Sequence, residues 1–342
     1  MPTAVLDRIV RQSNPQLRAA VYAGLDRRAG EALARLDRGG GAIESAPAPE
    51  HRLARLAERY TSLPRDERER TLVLEPSRDG RRALNAMIRR GLQAKAELGA
   101  DRLLVSALSP KGLTRAESRL ASSYLPGDVV RFIRDVRIAP GIRVAATDYL
   151  TVASVDGIDN RVVLRRADGS AVPWNPRQGG ASAQVFEARG LPIASGDRVV
   201  WTLNERASGR VNGETATVVA VEPHRAEMTV ELRNGERQTL RPALRPADRH
   251  LDHGYVQTAH KARGATADRV LAHLDSRRLN LVNRQSFYVA ISRARAEATV
   301  VTDDATRLRA ALAGRSGEGT SALDATSLSG ELRKLRAAAS EQ

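Results

Sequence analysis

A short stretch around residue 260 brings together side chains that bind phosphate. It combines a hydroxyl, an imidazole, an ammonium and a guanidinium with a glycine: Thr258, His260, Lys261, Arg263 and Gly264. The apolar residues before it predict a strand, and the glycine lets the backbone approach a ligand closely. Such a loop at the carboxyl end of a parallel strand suits contacts with phosphate or nucleic acid. The alternative is a surface loop whose polar side chains are merely solvated.

A second stretch places arginines at the end of an apolar helix. Ser292, Arg293 and Arg295 follow the run Phe-Tyr-Val-Ala-Ile at residues 287–291. An arginine fixed on a rigid helix end can stabilise the charge that develops on a transferred phosphoryl group. The alternative is that the pair interacts only with the helix dipole and the last carbonyls.

The chain as a whole is strongly basic. Its 342 residues include 55 Lys+Arg and 40 Asp+Glu, for a net charge of +15, and only four of the basic residues are lysine. Arginine makes planar, bidentate contacts with phosphate, which favours a polyanionic partner; codon bias in a GC-rich genome is the alternative. The aromatic content of 3% argues against a surface built mainly on base stacking.

Other classes of function are excluded by what the sequence lacks. Without cysteine it has no disulfide scaffold, cysteine-ligated zinc or thiol nucleophile. It has no run of about 18 apolar residues and no N-terminal secretory pattern, so we expect a cytoplasmic protein without membrane contact. We expect no metal site formed by this chain alone.

Helices and strands alternate at both ends of the chain, which predicts an α/β fold around a parallel sheet. Asn14 and Pro15 are suited to be the N-cap and the first residue of a helix. The predicted strands of this sheet are 71–75, 102–108, 269–274 and 298–301, and the predicted helices lie within 1–62 and at 79–98 and 284–293.

Between these ends lies a segment with a different pattern. Short β-branched runs alternate with glycine turns from about residue 127 to 246, and Asp168-Gly169 and Asn234-Gly235 are typical of hairpins. The spacing predicts small antiparallel barrels inserted into the α/β domain. Trp201 alternates with apolar residues in one of these runs, which favours a core position.

The two polar stretches, in this order and about 30 residues apart, resemble motifs V and VI of superfamily 1 helicases. Residues 6–12 resemble the Arg-Gln segment that follows motif III, and residues 71–89 resemble motif IV with its helix. In detail the chain is most similar to the RecD-like helicase of MobF-type conjugative relaxases, through residues 196–204, 264–271 and 281–290. The resemblance spans about residues 1–305 and includes four motifs in order.

This resemblance implies a RecA-like parallel-sheet domain, of the P-loop NTPase type, interrupted by a β-rich insertion. Residues 1–62 would be the end of a first RecA-like domain and a linker, and 63–125 with 248–310 the second RecA-like domain. Residues 126–247 would be the insertion, and 311–342 a mobile polar tail.

The resemblance also implies roles for individual residues. Arg11 and Arg293 would reach the γ-phosphate of ATP bound with Mg²⁺, with Arg293 as the arginine finger. The nucleotide contacts would comprise Arg11, Gln12, Gly264 and Arg293. The contacts with single-stranded DNA would comprise Ser77, Arg78, Asn85, Thr258, His260, Lys261 and Arg263.

Two departures from the family pattern bear on activity. Arg263 stands where the family usually has glutamine, and no Gly-x-x-x-x-Gly-Lys-[Ser/Thr] occurs in the sequence. A Walker lysine and an acid that holds Mg²⁺ are needed for ATP hydrolysis. We therefore expect the C-terminal half of a 5′→3′ DNA helicase, inactive until another segment or chain supplies the first half. The alternatives are a non-catalytic single-strand-binding module or remnant, and the C-terminal part of a RecD-type repair helicase.

Overall fold

A computed structural model describes residues 11–139, 141–258, 266–278 and 281–314. The chain divides into two compact units. We name the first, Met1–Ile88 with Val256–Gln342, the parallel-sheet unit, and the second, Arg89–Tyr255, the antiparallel unit. Four predicted site residues lie outside the described ranges, as does the polar tail from residue 315: His260, Lys261, Arg263 and Gly264.

The described chain contains helices and strands in the following order. The helices are α1 (Pro15–Leu25), α2 (Ala29–Arg35), α3 (Pro49–Ser62), α4 (Arg65–Glu69), α5 (Arg78–Ala94), α6 (Arg284–Ile291) and α7 (Ala305–Gly314). The first strands are β1 (Gly41–Ser45), β2 (Thr71–Leu74), β3 (Leu103–Pro110), β4 (Val129–Phe132), β5 (Val136–Ala139), β6 (Ile142–Val144), β7 (Tyr149–Asp156), β8 (Arg161–Arg165) and β9 (Ala171–Trp174). The remaining strands are β10 (Ala183–Ile193), β11 (Arg198–Trp201), β12 (Thr215–Glu222), β13 (Glu227–Leu232), β14 (Arg237–Leu240), β15 (Leu251–His253), β16 (Val256–Gln257), β17 (Ala267–His273) and β18 (Ala294–Thr302).

The parallel-sheet unit is built on a five-stranded sheet with the order β1-β18-β17-β2-β16. Every neighbouring pair is parallel, so all five strands end at the same side. We call that side the carboxyl edge and the opposite side the amino edge. All four residues of β2 are buried, as expected for a parallel strand covered on both faces.

The first helix begins where the sequence predicts. The side chain of Asn14 accepts hydrogen bonds from the backbone N–H groups of Gln16 and Leu17, and Pro15 is the first helical residue. Leu17 and Val21 face a core that α6, β17 and β18 complete. The N-terminal segment thus folds into the same unit as the parallel sheet.

Strand β1 lies within residues 1–62, where the sequence predicts helices and a loop but no strand. It pairs with β18 from Gly41 opposite Ala298 to Ser45 opposite Thr302. A Cβ atom at Gly41 would overlap the carbonyl oxygen of Ala298, so the strand can enter the sheet only with glycine there.

The prediction that residues 102–108 form a strand of the parallel sheet is wrong. Strand β3 instead pairs antiparallel with the long strand β10, from Leu103 opposite Ile193 to Pro110 opposite Phe186. The side chain of Leu104 is 71% exposed, whereas a strand inside a parallel sheet is covered on both faces. The compact insertion therefore begins at Arg89, earlier than the expected residue 126.

The antiparallel unit confirms the β-rich insertion. It contains a six-stranded sheet with the order β3-β10-β4-β7-β8-β9, a five-stranded sheet with the order β14-β13-β12-β11-β15, and the pair β5-β6. Both predicted hairpin turns are present, with Gly169 and Gly235 at positive φ. Trp201 is 2% exposed and belongs to the core, as predicted. Asp197 is fully buried and accepts two hydrogen bonds of 2.8 Å from Arg89. These bonds indicate that Asp197 serves to stabilise the fold.

Candidate functional site

The amino edge joins two segments that lie far apart in the sequence. Arg11 donates from Nη1 to the carbonyl oxygen of Ser292 at 2.8 Å. The Nε2 atom of Gln12 donates to the same carbonyl at 3.2 Å and to that of Ala294 at 2.9 Å. Ser13 continues the contact, because its backbone N–H and its hydroxyl both donate to the carbonyl of Arg295. The segment that carries Arg11 is thus fixed to the end of α6.

Helix α6 is itself held at both ends. Asn283 caps it by accepting from the Ser286 N–H, and the Ser286 hydroxyl accepts from the Asn283 N–H in return. Phe287 and Ile291 anchor the helix in the core. Beyond its C-terminus, the carbonyl of Arg293 accepts a 3.0 Å hydrogen bond from Ala267 at the start of β17. Arg293 is half-buried. Its backbone is held by two hydrogen bonds, one from its N–H to the carbonyl of Ala290 and one from the N–H of Ala267 to its own carbonyl.

The side chain of Arg11 therefore lies against the backbone next to Arg293, the other arginine predicted to contact nucleotide. Arg11 binds the carbonyl of the residue that directly precedes Arg293. Guanidinium groups present donors in a planar fork that matches phosphate oxygens, so this end of α6 fits the phosphate part of a nucleotide. In the described ranges no group of three or more His, Cys, Asp or Glu side chains could hold a metal ion.

A cavity of about 480 Å³ opens on the amino edge beside this contact. It is lined by Ser13, Glu67, Arg70, Asp268, Arg269, Arg295 and Ala296. Its arginines already have acidic neighbours: Arg70 lies 3.2 Å from Asp268, and Arg269 is ion-paired with Glu67. These pairs are partly exposed to solvent, where an ion pair contributes little and can exchange partners.

The carboxyl edge carries predicted DNA contacts. Ser77 and the exposed Arg78 follow β2 after Glu75 and Pro76, and the half-buried Thr258 follows directly after β16. Asn85 differs from them, because it is 4% exposed and its Oδ1 accepts a 3.2 Å hydrogen bond from the N–H of Val256. Its contact in this structure is with the first residue of β16, which leads to Thr258.

Sequence reasoning missed a buried polar network on the carboxyl edge. Glu75 accepts from the N–H of Ser77 at 2.8 Å and from its hydroxyl at 2.5 Å. The other carboxylate oxygen of Glu75 is hydrogen-bonded to Nδ1 of His273. Nε2 of His273 accepts from Nε of Arg52 at 2.9 Å, and Arg52 also pairs with Asp275 at 2.6 Å. The sequence signal that could have pointed to this network is a charged residue, Glu75, directly after the mainly apolar run Thr-Leu-Val-Leu of β2.

The environment of Glu75 keeps it ionised. Burial alone would raise the pKa of its carboxyl, but the hydrogen bonds from His273 and Ser77 lower it below the usual value. Since Nε2 of His273 accepts a hydrogen bond, the proton of the neutral ring is on Nδ1 and points at Glu75. The network is therefore an ordered series of donors and acceptors.

Comparison with known proteins places this arrangement in a family context. The family described as the viral superfamily 1 RNA helicase core domain matches residues 202–302. The multifunctional conjugation protein TraI of Escherichia coli K12 is 27% identical over 343 aligned residues, which cover 88% of this chain and 19% of TraI. This chain is related to TraI over most of its length and to the superfamily 1 helicase core domain over residues 202–302. The predicted resemblance is thereby confirmed over most of its length.

A further conjugation protein matches a shorter stretch of the sequence, and two solved helicase structures match with low TM-scores. The conjugal transfer protein TraA of Rhizobium radiobacter is 37% identical over 103 residues, which cover 30% of this chain and 9% of TraA. Similar solved structures include a Pif1 helicase studied at forked double-stranded DNA, with a TM-score of 0.37 and 14% identity over 87% of this chain and 48% of that one. The Pif1 helicase of a Bacteroides species with ADP-AlF4 has a TM-score of 0.33, 15% identity, and coverage of 88% and 52%.

Most of this chain aligns with TraI, but the aligned part is only about a fifth of the length of the TraI proteins. No described helix is long and apolar enough to cross a membrane.

Proposed function

We propose that this chain is the arginine-bearing half of an ATP-dependent superfamily 1 DNA helicase of a conjugative relaxase, which moves 5′→3′ on single-stranded DNA. The observation that carries the proposal is the bond from Arg11 to the carbonyl of Ser292, which fixes Arg11 beside Arg293. Similarity to TraI over 88% of the chain supports the choice of a conjugative helicase over a RecD-type repair helicase.

Each predicted residue has a task in this proposal. Arg293 acts as the arginine finger, and Arg11 offers its remaining donors to the same phosphate. Gln12 holds the end of α6 in place through its two backbone hydrogen bonds. Bound ATP with Mg²⁺ supplies the phosphoryl group, and Walker motifs from another segment or chain hold both, since this sequence has no Walker A motif.

The DNA strand runs over the carboxyl edge in this proposal. Ser77, Arg78 and Thr258 follow the ends of neighbouring parallel strands there, the usual place for ligands in such sheets. His260, Lys261 and Arg263 continue from Thr258 in the sequence and add to the contacts with the strand, and Gly264 belongs with the nucleotide contacts.

An ATPase measurement tests the proposal. The purified chain alone should show no DNA-stimulated ATP hydrolysis. Addition of a first RecA-like domain that carries the Walker motifs should produce hydrolysis that single-stranded DNA stimulates. Robust turnover by the chain alone, abolished in Arg293→Ala, would contradict the division of the machinery between two halves.

A further inference from the structure

The buried network on the carboxyl edge ends at a turn predicted to contact DNA. Arg52 is 0% exposed and donates to the carbonyls of Ala46 and Pro47 besides binding Asp275 and His273. His273 connects Arg52 to Glu75, which is 1% exposed. The network thus links the end of β1, helix α3 and the ends of β17 and β2.

Its terminal contact defines the turn that opens α5. Glu75 receives both the N–H and the hydroxyl of Ser77, and the Ser77 oxygen in turn accepts from the N–H of Gly80 at 3.1 Å. Arg81 donates to the carbonyl of Pro76 at 3.1 Å from the other side. Ser77 is therefore directed inward, whereas Arg78 and Asp79 are the exposed residues of this turn, and Arg78 is the cation of the two.

The lack of space at Gly80 is independent evidence that the Glu75 carboxylate packs closely against the turn. A Cβ atom there would overlap the carboxylate of Glu75 and lie 2.6 Å from the Ser77 hydroxyl oxygen. Only glycine leaves room for this approach. The turn and the carboxylate are packed as one piece.

We propose that Glu75, aligned by His273 and Arg52, is a positioning residue that fixes the turn Ser77–Gly80 and thereby the approach of Arg78 to a DNA phosphate. This inference rests on the proposed function for its ligand. A buried charge that only filled space would cost more than an apolar side chain. Here both oxygens of the charge are used, and one of them holds the turn in a single geometry.

The same edge offers a matched control. Asp303, after β18, accepts from the N–H of Ser276 at 2.7 Å and from its hydroxyl at 2.8 Å. This acid and serine pair repeats the contact between Glu75 and Ser77 at a turn with no predicted DNA contact. Asp303→Asn therefore reports on the loss of such a bond, together with the ionic contacts of Asp303 to Arg307 at 3.3 Å and Arg277 at 3.6 Å, away from the predicted DNA contact.

The experiment compares Glu75→Gln with Asp303→Asn in the full chain. The amide of Glu75→Gln sets an N–H against either the Nδ1–H of His273 or the donors of Ser77, because Arg52 fixes the histidine tautomer. We expect hydrogen exchange at the Ser77 and Gly80 amides to accelerate at least about tenfold in Glu75→Gln, while Asp303→Asn accelerates exchange at Ser276 only.

Binding of a fluorescent oligo-dT provides the functional readout. Glu75→Gln should weaken binding about fivefold or more and reduce the salt dependence by about one phosphate contact. Asp303→Asn should leave both unchanged. In an Arg78→Ala background Glu75→Gln should have almost no further effect on affinity, since both changes act through one contact.

The measurements distinguish failure of the positioning inference from failure of the proposed function. Equal weakening of DNA binding by Glu75→Gln and Asp303→Asn, or a full effect of Glu75→Gln in Arg78→Ala, would overturn the positioning inference. Unchanged exchange at Ser77 in Glu75→Gln would overturn it as well. Failure of the unmodified chain to bind oligo-dT would count against the proposed function instead, and the exchange measurement would still decide whether Glu75 holds the turn.

Discussion

The two edges of the parallel sheet are organised by different interactions. At the carboxyl edge, buried side chains bind one another in series from Arg52 through His273 to Glu75. At the amino edge, side chains such as Gln12 bind backbone carbonyls, and the ion pairs around the cavity are partly exposed. A buried network fixes geometry, whereas exposed pairs can exchange partners. The comparison suggests a rigid platform opposite an edge that can rearrange around a ligand.

The largest expected effect comes from removing Arg52, the central cation of the buried network on the carboxyl edge. Arg52→Met leaves the buried Asp275 with only the half-exposed Arg277 as a cationic partner and also removes the hydrogen bonds of Arg52 to His273 and two backbone carbonyls. It should lower the free energy of unfolding by about 3–5 kcal/mol. Urea unfolding measures this. Arg55→Met is the control from the same helix, since Arg55 makes an exposed bond to the Ser45 carbonyl, and it should cost less than about 1 kcal/mol. Similar losses for both variants would show that the carboxyl edge is no more rigid than a surface.

A smaller effect is expected from adding one methyl group beneath the turn Ser77–Gly80. Gly80→Ala forces a Cβ atom into Glu75 and Ser77, and it should destabilise the protein by about 1–3 kcal/mol. Gly24→Ala in α1 is the control, because its Cβ would meet its nearest side-chain atoms at 3.6 and 3.7 Å. That substitution should stabilise the protein by about 0.5–1 kcal/mol. Thermal unfolding of both variants checks the difference in sign.

At the amino edge, Gln12→Ala removes two hydrogen bonds from a side chain that is 2% exposed. It should cost about 1–2 kcal/mol, less than Arg52→Met, because no charge is left unpaired. Ser13→Ala, which removes one exposed bond of 3.0 Å, should cost less than about 1 kcal/mol. A loss for Gln12→Ala as large as that for Arg52→Met would remove the distinction between the edges.

The smallest effect concerns pH. The pKa of Glu75 is lower in the folded protein than its usual value of 4.5, so its carboxylate stabilises the fold fully above that value. This stabilisation is lost as the pH falls through the lowered pKa. The difference in unfolding free energy between the unmodified chain and Glu75→Gln should therefore be constant near neutrality and shrink in acid. A difference that does not depend on pH would mean that Glu75 is not held as an ion.

Local signals in the sequence predicted much of this fold. The cap at Asn14, the apolar run of β2 and the Asn234-Gly235 turn all depend on neighbours within a few residues, and the structure contains each of them. Strand β1 could not be found this way, because four of its five residues are only half-buried and the fifth, Ser45, is exposed. Its conformation depends on pairing with β18. The pairing of β3 with β10 likewise depends on a partner about 80 residues away.

In the candidate site, too, local motifs predicted individual residues but not the long-range contacts between them. Arg11 and Arg293 could be selected from their motifs, but the bond from Arg11 to Ser292, the neighbour of Arg293, joins residues that lie 281 positions apart. Likewise, no pattern connects Arg52 with His273 across 221 residues. Sequence motifs thus indicate which residue types matter, while the tertiary structure determines what aligns them.

The most direct test of the division between the edges measures ATP turnover and DNA affinity in the same variant. In the presence of a Walker-bearing first domain, Arg293→Ala should reduce the ATPase kcat about 10³-fold or more while the Kd for oligo-dT changes little. Arg295→Ala, which removes an exposed arginine 4.0 Å from Asp268 on the same edge, should change both values less than about tenfold. An Arg293→Ala variant that keeps its ATPase, or that loses DNA affinity in proportion to its turnover, would contradict the account.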